Sequence, residues 1–245
     1  MGAMPEEIQC LVTHLKKSKT YEIGKRHYHQ GQLYGQPTVV VFSRWGKVAA
    51  ATTATTLIQE FGVRQVLFTG VAGGIDKQLK IGDVVIGDRL FQHDMDARPL
   101  MPKFEIPLLS LRYFTSDTTL RAQAEQAVHT FFADFSNAIP EAERTAFGLT
   151  SPKVITGAVA SGDAFVATRE DRERLRRELP ELACVEMEGG AMAQVCYEFD
   201  VPFVVIRTIS DTADEHAAVN FPRFVKKVAQ RYTEGIIKAL YAEAF

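Results

Sequence analysis

The chain has 245 residues, of which 46% are hydrophobic and 24% are charged, and its formal net charge at pH 7 is −2. This composition is typical of a globular protein with a large core, and the small charge argues against binding to nucleic acid or to an anionic membrane. The three cysteines are widely spaced and form no CxxC pair, which argues against a disulfide framework and a zinc site. No apolar run reaches the roughly 18–20 residues of a membrane span, and no signal-peptide pattern is present, so we expect a cytoplasmic protein.

Short β-branched apolar runs that are bounded by turn residues predict buried strands. In chain order they cover residues 38–43, 65–70, 83–91, 153–161 and 202–210. Segments with apolar residues at helical spacing lie between them and predict helices over residues 47–61, 119–135, 169–182 and 220–245. This alternation predicts an α/β sheet with helices on its faces. No linker divides the chain, so we expect one domain over residues 1–245.

Polar or glycine-rich clusters follow three of the predicted strands, where ligand sites of α/β sheets collect. They are TGVAGG (69–74), SGDAF (161–165) and SDTAD (210–214). TGVAGG permits close backbone approach to a ligand, but it matches neither GxGxxG nor a Walker A loop, so a dinucleotide or nucleoside-triphosphate site is not indicated. The segment 92–118 contains three prolines and is expected to be a long loop or edge element.

Several carboxylates have two interpretations on their residue patterns alone. Asp211 ends an apolar strand, where burial would raise its pKa and suit it to general acid catalysis, although it also fits a helix N-cap. Asp163 presents the same alternatives. Glu186 and Glu188 precede a glycine pair, which fits either a helix start or a site that grips a polar ligand. Glu7 follows a proline in a pattern that is typical of a helix start.

Histidines give no sign of a metal site. His27 and His29 lie two residues apart in a possible strand, but no third ligand is near them in the sequence. We therefore predict no metal.

Taken together, seven motifs resemble the bacterial and plant 5′-methylthioadenosine/S-adenosylhomocysteine nucleosidases of the purine nucleoside phosphorylase superfamily. In chain order they are GAMPEE (2–7), WGKVAAA (45–51), TGVAGG (69–74), GDVVIGD (82–88), SGDAF (161–165), VEMEGGAMA (185–193) and VPFVVIRTISDTAD (201–214). VEME followed by ISD is specific to the superfamily, and GAMPEE points to the nucleosidase branch.

The resemblance implies a mixed central sheet flanked by helices, a homodimer and a small-molecule nucleoside substrate. The implied reaction is hydrolysis of the bond between adenine N9 and ribose C1′, with no metal or organic cofactor. By matching motifs, Asp211 would protonate adenine N7 and Glu7 would orient or deprotonate the attacking water. Glu188 would hold the ribose hydroxyls, and Met187 would pack against the sugar.

The resemblance also assigns supporting positions. Phe165 and Val166 would line the adenine pocket, and Gly73 would form the floor on the sugar side. Ser210 and Arg207 would support Asp211. Glu186 is expected to have a structural role.

Departures from the family pattern concern the edges of the implied site. The family has a short apolar strand before GAM, whereas this chain starts at Met1-Gly2, so either the start is truncated or the first strand is shortened. Val71 stands where many relatives carry a hydroxyl, and Arg44 and Trp45 replace simpler residues. The proline-rich loop 93–107 is expected to shape the pocket for the 5′ substituent, including that of the neighbouring subunit.

Other functions stay open on the sequence. A nucleoside phosphorylase of the same fold is the main alternative, but Glu7 and Val71 disfavour phosphate. Substrates of the 5′-deoxyadenosine or aminofutalosine type fit the same chemistry. A non-catalytic nucleoside-binding protein would not need Asp211, Glu188 and Glu7 together.

Overall fold

The computed structural model of the chain describes residues 1–214 and 217–244. In chain order the strands are β1 (Lys16–Ile23), β2 (Arg26–Leu33), β3 (Gln36–Val40), β4 (Val66–Gly74), β5 (Val84–Gln92), β6 (Phe114–Thr115), β7 (Val154–Ser161), β8 (Leu182–Glu186) and β9 (Phe203–Asp211). The helices are α1 (Pro5–His14), α2 (Lys47–Phe61), α3 (Thr118–Ala133), α4 (Phe135–Ala138), α5 (Glu141–Phe147), α6 (Arg169–Glu178), α7 (Gly189–Glu198), α8 (Ala217–Phe224) and α9 (Gln230–Ala244). A π-helical turn over Val225–Ala229 joins the last two helices.

The central sheet has the strand order β6-β5-β7-β8-β4-β9, and β1, β2 and β3 form a separate antiparallel sheet. The central sheet is mixed: β4 and β9 pair in parallel, as do β5 and β7, whereas β5 and β9 pair antiparallel. Because the pairing of β5 with β9 joins distant members of the strand order, β9 has a partner strand on each side. The predicted mixed sheet flanked by helices is confirmed.

All five predicted strands are present, with shifted ends, and the described residues contain four further strands that are not among the five, namely β1, β2, β6 and β8. The side chains of β1 are almost entirely exposed, so its sequence carries no apolar alternation. β8 is wholly buried, yet the predicted helix over residues 169–182 overlapped its start. That helix ends at Glu178, because Pro180 cannot continue it.

The remaining helix predictions hold more closely. The helix over residues 47–61 is confirmed, and Gly62 ends it in the left-handed conformation at φ 58°. The predicted C-terminal helix begins earlier, at Ala217, and continues through the π-helical turn to Ala244. Position 245 lies outside the described residues.

Met1 and Gly2 pair with β4 and with the residues directly after β3. Gly2 forms a parallel bridge with Phe42, and its N–H donates to the carbonyl of Val41 at 3.1 Å. The N–H of Thr69 donates to the carbonyl of Met1 at 3.0 Å, so this short segment joins the β3 end of the small sheet to β4. The start of α1 is therefore fixed next to the central sheet.

The segment 92–118 is mostly loop, as expected. It contains β6 and an isolated antiparallel bridge between Ile106 and Leu111. Phe104 is buried, whereas Leu100 and Leu108 are 89% and 95% exposed. Over the described ranges, no helix has the length and apolar character needed to cross a membrane.

Candidate active site

A cavity of about 560 Å³, its open mouth included, lies at the carboxyl ends of β4, β8 and β9. It is lined by Ala3, Met4, Glu7, Trp45, Val71, Ala72, Gly73, Ala164, Phe165, Val166, Val185, Glu186, Met187, Glu188, Ser210, Asp211 and Phe221. Every predicted site residue except Arg207 is in this lining. The three strand-end clusters therefore meet at one site, as the sequence indicated.

Glu7 enters the cavity from the first turn of α1, and it is only 1% exposed. Its Oε2 accepts hydrogen bonds from the N–H groups of Ala3 at 2.6 Å and Met4 at 3.0 Å, and its Oε1 accepts one from the N–H of Val71 at 3.2 Å. Burial raises the pKa of Glu7, although the Arg207 guanidinium and these backbone donors favour its charged form. These three backbone donors therefore hold the Glu7 carboxyl in place.

Asp211 is the last residue of β9 and is 2% exposed. Its Oδ2 accepts a hydrogen bond from Ser210 Oγ at 2.8 Å, and its Oδ1 accepts one from the N–H of Ala213 at 2.9 Å. Burial raises the pKa of Asp211, and the negative charge of Asp214 raises it further. The next described helix begins only at Ala217, so the N-cap interpretation of Asp211 is wrong.

Glu186 and Glu188 have different hydrogen-bond partners at the junction between β8 and α7. Glu186 accepts hydrogen bonds from the N–H groups of Glu188 and Gly189, and from the side chains of Ser161 and Arg207. These contacts fit the structural role expected for Glu186, because they leave it fully engaged at the start of the helix.

Glu188 has fewer partners and faces the cavity. Its Oε1 accepts a hydrogen bond from the N–H of Gly46 at 2.9 Å, and its Oε2 lies 4.0 Å from Arg207 Nη2. Burial raises the pKa of Glu188, and the neighbouring Glu186 charge adds to this effect. One oxygen is therefore available for a ligand, with a proton affinity above that of an ordinary glutamate.

Arg207 does not support Asp211, and this corrects the sequence-based assignment. It is 1% exposed and does not line the cavity; its guanidinium pairs with Glu186 and lies 4.2 Å from the centre of the Phe68 ring. Four residues of extended strand separate Arg207 from Asp211 by roughly 13 Å. Arg207 instead acts on the glutamates, whose charges it partly compensates from behind the cavity.

Asp163 is not a general acid either. Its Oδ1 accepts a hydrogen bond from the N–H of Lys47, the first residue of α2, at 2.7 Å. It is absent from the cavity lining, and the N-cap of the helix that follows it, α6, is Thr168, so the N-cap interpretation of Asp163 is wrong as well.

Three aromatic side chains surround the open end of the cavity. Phe221 lies edge-on to Trp45 at 6.1 Å between ring centres and to Phe165 at 5.5 Å. Trp45 is 56% exposed and Phe165 is 46% exposed. Phe221 was missed from the sequence because it lies in a segment that showed only helical periodicity, whereas Trp45 was noted as a departure but given no role.

The lining also has a clear charge character. Of the described residues in it, four are carboxylates and none is a lysine or an arginine. Within the same described ranges, no group of three or more His, Cys, Asp or Glu side chains could hold a metal ion. A neutral or cationic ligand suits this cavity better than an anion does.

This fold and this acidic cavity define a nucleoside-processing class of protein, and comparison with known sequences agrees. The model of the phosphorylase superfamily matches residues 1–242, and the chain belongs to this family.

Within the family, the chain is similar to one particular branch. It is 35% identical over 244 residues to the 5′-methylthioadenosine/S-adenosylhomocysteine nucleosidase of Mycobacterium bovis, which covers 97% of this chain and 94% of the relative. The nucleosidase of Neisseria meningitidis in complex with methylthio-immucillin-A superposes with a TM-score of 0.86 at 34% identity, covering 100% of this chain and 97% of that one. The futalosine hydrolase of Helicobacter pylori superposes with a TM-score of 0.83 at 34% identity, covering 99% of this chain and 95% of that one.

Proposed function

We propose that the protein is an N-glycosyl hydrolase that cleaves adenine from 5′-methylthioadenosine, S-adenosylhomocysteine or both. The observation that carries this proposal is one cavity in which two buried carboxyls with raised pKa values, Asp211 and Glu7, face the same space, and in which none of the described lining residues is a lysine or an arginine. The nucleosidases of similar sequence and structure support the choice of substrate.

Departure of adenine is the task of Asp211. Adenine is a poor leaving group as an anion, so Asp211 in its protonated form donates its proton to N7. The electron pair of the C1′–N9 bond then moves to the base, which leaves as neutral adenine. Ser210 and the N–H of Ala213 hold the carboxyl in place for this transfer, and Phe165 and Val166 pack around the base.

Capture of the sugar is the task of Glu7. As C1′ acquires oxocarbenium character, Glu7 accepts a proton from the attacking water, whose oxygen forms the new bond to C1′. Burial raises the pKa of Glu7, which makes it a stronger base than an exposed glutamate. Glu188 binds the ribose hydroxyls, Met187 packs against the ring, and Gly73 leaves room beside Asp211, since a Cβ there would lie 3.0 Å from Asp211 Oδ1.

Phosphorolysis is disfavoured by the same lining. A phosphate dianion beside C1′ would meet the carboxylate of Glu7 and the apolar side chain of Val71. Arg44 directly precedes the cavity-lining Trp45 in the sequence. Its side chain lies in a neighbouring groove, where its Nη2 donates to the carbonyl of Lys25 at 2.6 Å. Water is therefore the nucleophile in this proposal.

A second candidate substrate class carries a larger 5′ substituent. A groove next to the cavity shares Ala3, Met4, Trp45 and Phe221 with it, and Arg44 and Lys226 also line the groove. An extended and partly basic groove supports substrates of the aminofutalosine type, and the similarity to a futalosine hydrolase favours this candidate.

Three further parts of the proposal concern the whole protein. Residues 1–245 work as one nucleosidase domain, and the protein acts as a homodimer in which loop 93–107 reaches the neighbouring 5′ pocket. The exposed Leu100 in this loop and the exposed Leu108 directly after it support an interface there. The three cysteines are buried and unpaired, which suits the cytoplasm.

The decisive experiment is a substrate panel in phosphate-free buffer. Methylthioadenosine, S-adenosylhomocysteine, 5′-deoxyadenosine and aminofutalosine are incubated with the protein, and adenine and the sugar product are quantified. We expect adenine with a free thioribose from the first two compounds. Tight binding without adenine release would establish a binding protein instead, and faster turnover only with the last compound would establish the second candidate.

A further inference from the structure

Glu188 and the cavity-lining segment 164–166 are connected through residues that do not line the cavity. The N–H of Gly46 donates to Glu188 Oε1 at 2.9 Å, and the N–H of the next residue, Lys47, donates to Asp163 Oδ1 at 2.7 Å. In the proposed function Glu188 binds the sugar, whereas Asp163 directly precedes Ala164, Phe165 and Val166, which line the cavity around the base. Two consecutive backbone N–H groups at the start of α2 therefore contact both the sugar-binding carboxylate and the residue that precedes the base-binding loop.

Asp94 completes this connection. Its Oδ1 accepts a hydrogen bond from Lys47 Nζ at 2.6 Å, and its Oδ2 accepts one from the N–H of Asp163 at 2.9 Å. Together with the bond from Lys47 to Asp163, these contacts form a closed ring of three residues that we name the 47–94–163 ring. Its members come from three distant segments of the chain, and none of them lines the cavity.

The backbone at Gly46 is adapted to this ring. Gly46 has a φ of 91°, and a Cβ at this position would lie 2.9 Å from Asp163 Oδ1. A side chain there would therefore push Asp163 away while straining the backbone. The absence of a side chain allows the N–H of Gly46 to reach Glu188 while Asp163 reaches Lys47.

We expect the ring to contribute little to the free energy of unfolding. The side chains of Lys47 and Asp94 are 18% and 32% exposed, so their ion pair is partly screened by solvent. The ring is expected to affect turnover more than stability, because a displacement of about 1 Å between reacting groups can reduce turnover roughly a hundredfold.

We propose that Asp94, Lys47 and Asp163 are positioning residues that fix the sugar-binding carboxylate of Glu188 relative to the base-binding loop 164–166. The proposal rests on the proposed nucleosidase function for its kinetic consequence. The effect of the ring on nucleoside affinity does not depend on which reaction follows binding.

The test compares Asp94→Ala with Glu173→Ala. Glu173 lies on α6, its carboxylate pairs with Arg176, and neither of these two residues lines the cavity. We expect Asp94→Ala to lower kcat/KM for methylthioadenosine at least about tenfold with an unchanged circular dichroism spectrum, and Glu173→Ala to stay within about twofold of the wild type. Asp94→Asn, which keeps the shape but removes the charge, replaces the alanine variant if that variant does not fold.

A double-mutant cycle separates positioning from general destabilisation. If the ring acts through Glu188, the combined loss in Asp94→Ala/Glu188→Gln will be smaller than the product of the two single losses. A combined loss equal to that product, or unchanged kinetics in folded Asp94→Ala, would overturn the proposal.

A binding measurement keeps this test separate from the proposed reaction. Calorimetry with methylthio-immucillin-A should show at least about tenfold weaker binding in Asp94→Ala and wild-type binding in Glu173→Ala. If the wild type binds this compound but releases no adenine from any nucleoside, the proposed function fails while the ring is still tested. Equal affinity in both variants would overturn the positioning role.

Discussion

Glu7 and Arg207 approach each other across a residue that has no side chain. A Cβ on Gly70 would lie 2.7 Å from both Glu7 Oε1 and Arg207 Nη1. We therefore expect Gly70→Ala to displace the carboxyl, to lower kcat at least about tenfold and to reduce the free energy of unfolding by about 1–3 kcal/mol. Steady-state kinetics and thermal denaturation would measure the two effects.

Gly74→Ala provides the matched control for this substitution. Gly74 ends the same strand, and the nearest atom to a Cβ there is Ile209 Cγ2 at 3.3 Å, away from both charged groups. Wild-type turnover in Gly70→Ala would show that Glu7 and Arg207 do not need this approach.

Asp211→Asn tests the general acid. An amide fits the same space and can keep the contacts to Ser210 and Ala213, but it cannot deliver a proton to N7. We expect adenine release to fall at least about a hundredfold with methylthioadenosine as substrate. Asp76→Asn, in an exposed turn that does not line the cavity, should retain full turnover. Near-normal rates in folded Asp211→Asn would exclude Asp211 as the acid.

Glu7→Gln tests the choice of water over phosphate. Two unit charges about 4 Å apart repel by roughly 1 kcal/mol in bulk water and several-fold more in a partly desolvated site, so Glu7 opposes a phosphate dianion. Adenine release by the wild type should not accelerate when phosphate is added. Glu7→Gln should lose most turnover but keep nucleoside binding, whereas the exposed neighbour Glu6→Gln should stay active. A phosphate requirement with a sugar 1-phosphate product would place the protein among phosphorylases.

Asp214→Asn tests the electrostatic origin of the raised pKa of Asp211. The negative charge of Asp214 makes loss of the Asp211 proton harder, so its removal should lower the pKa of Asp211. Because the protonated form is the active acid, the alkaline limb of the pH profile of kcat/KM should shift to lower pH. A limb that stays in place, or moves to higher pH, would contradict this assignment.

The proposed homodimer is tested through loop 93–107 and its continuation. Light scattering of the wild type at micromolar concentration should give twice the mass of one chain. Leu100→Glu/Leu108→Glu should weaken association and raise KM, since charges would replace two exposed leucines. A fully active wild-type monomer would exclude the proposed interface.

The parts of the fold that the sequence predicted are those with strong local signals. β4, β5, β7 and β9 are apolar runs between turn residues, and α2 is bounded by glycines at both ends. β1 could not be predicted in this way because almost every side chain on it faces solvent. Its pairing with β2 is a tertiary property that no residue pattern within the strand specifies.

For the site as well, residues within recognisable motifs could be predicted, whereas contacts between distant segments could not. Asp211, Glu7 and Glu188 lie in motifs, so their convergence could be expected from strand ends and family resemblance. Phe221 reaches the cavity only through the position of α8, and the partner of Arg207 depends on how β8 and β9 lie on the two sides of β4. Contacts of this kind between distant segments require the three-dimensional structure.

The position of β9 between β4 and β5 affects how fast its backbone amides exchange with solvent. Its backbone N–H groups are expected to exchange with solvent deuterium only through global unfolding, because hydrogen-bonded strands protect both of its edges. Loop 162–168 is not part of the sheet, and half-exposed Phe165 belongs to it. Asp211 is therefore expected to stay fixed, so departure of the cleaved base should depend on opening of this loop, which has to break the contacts of the 47–94–163 ring, and not on any movement of the acid.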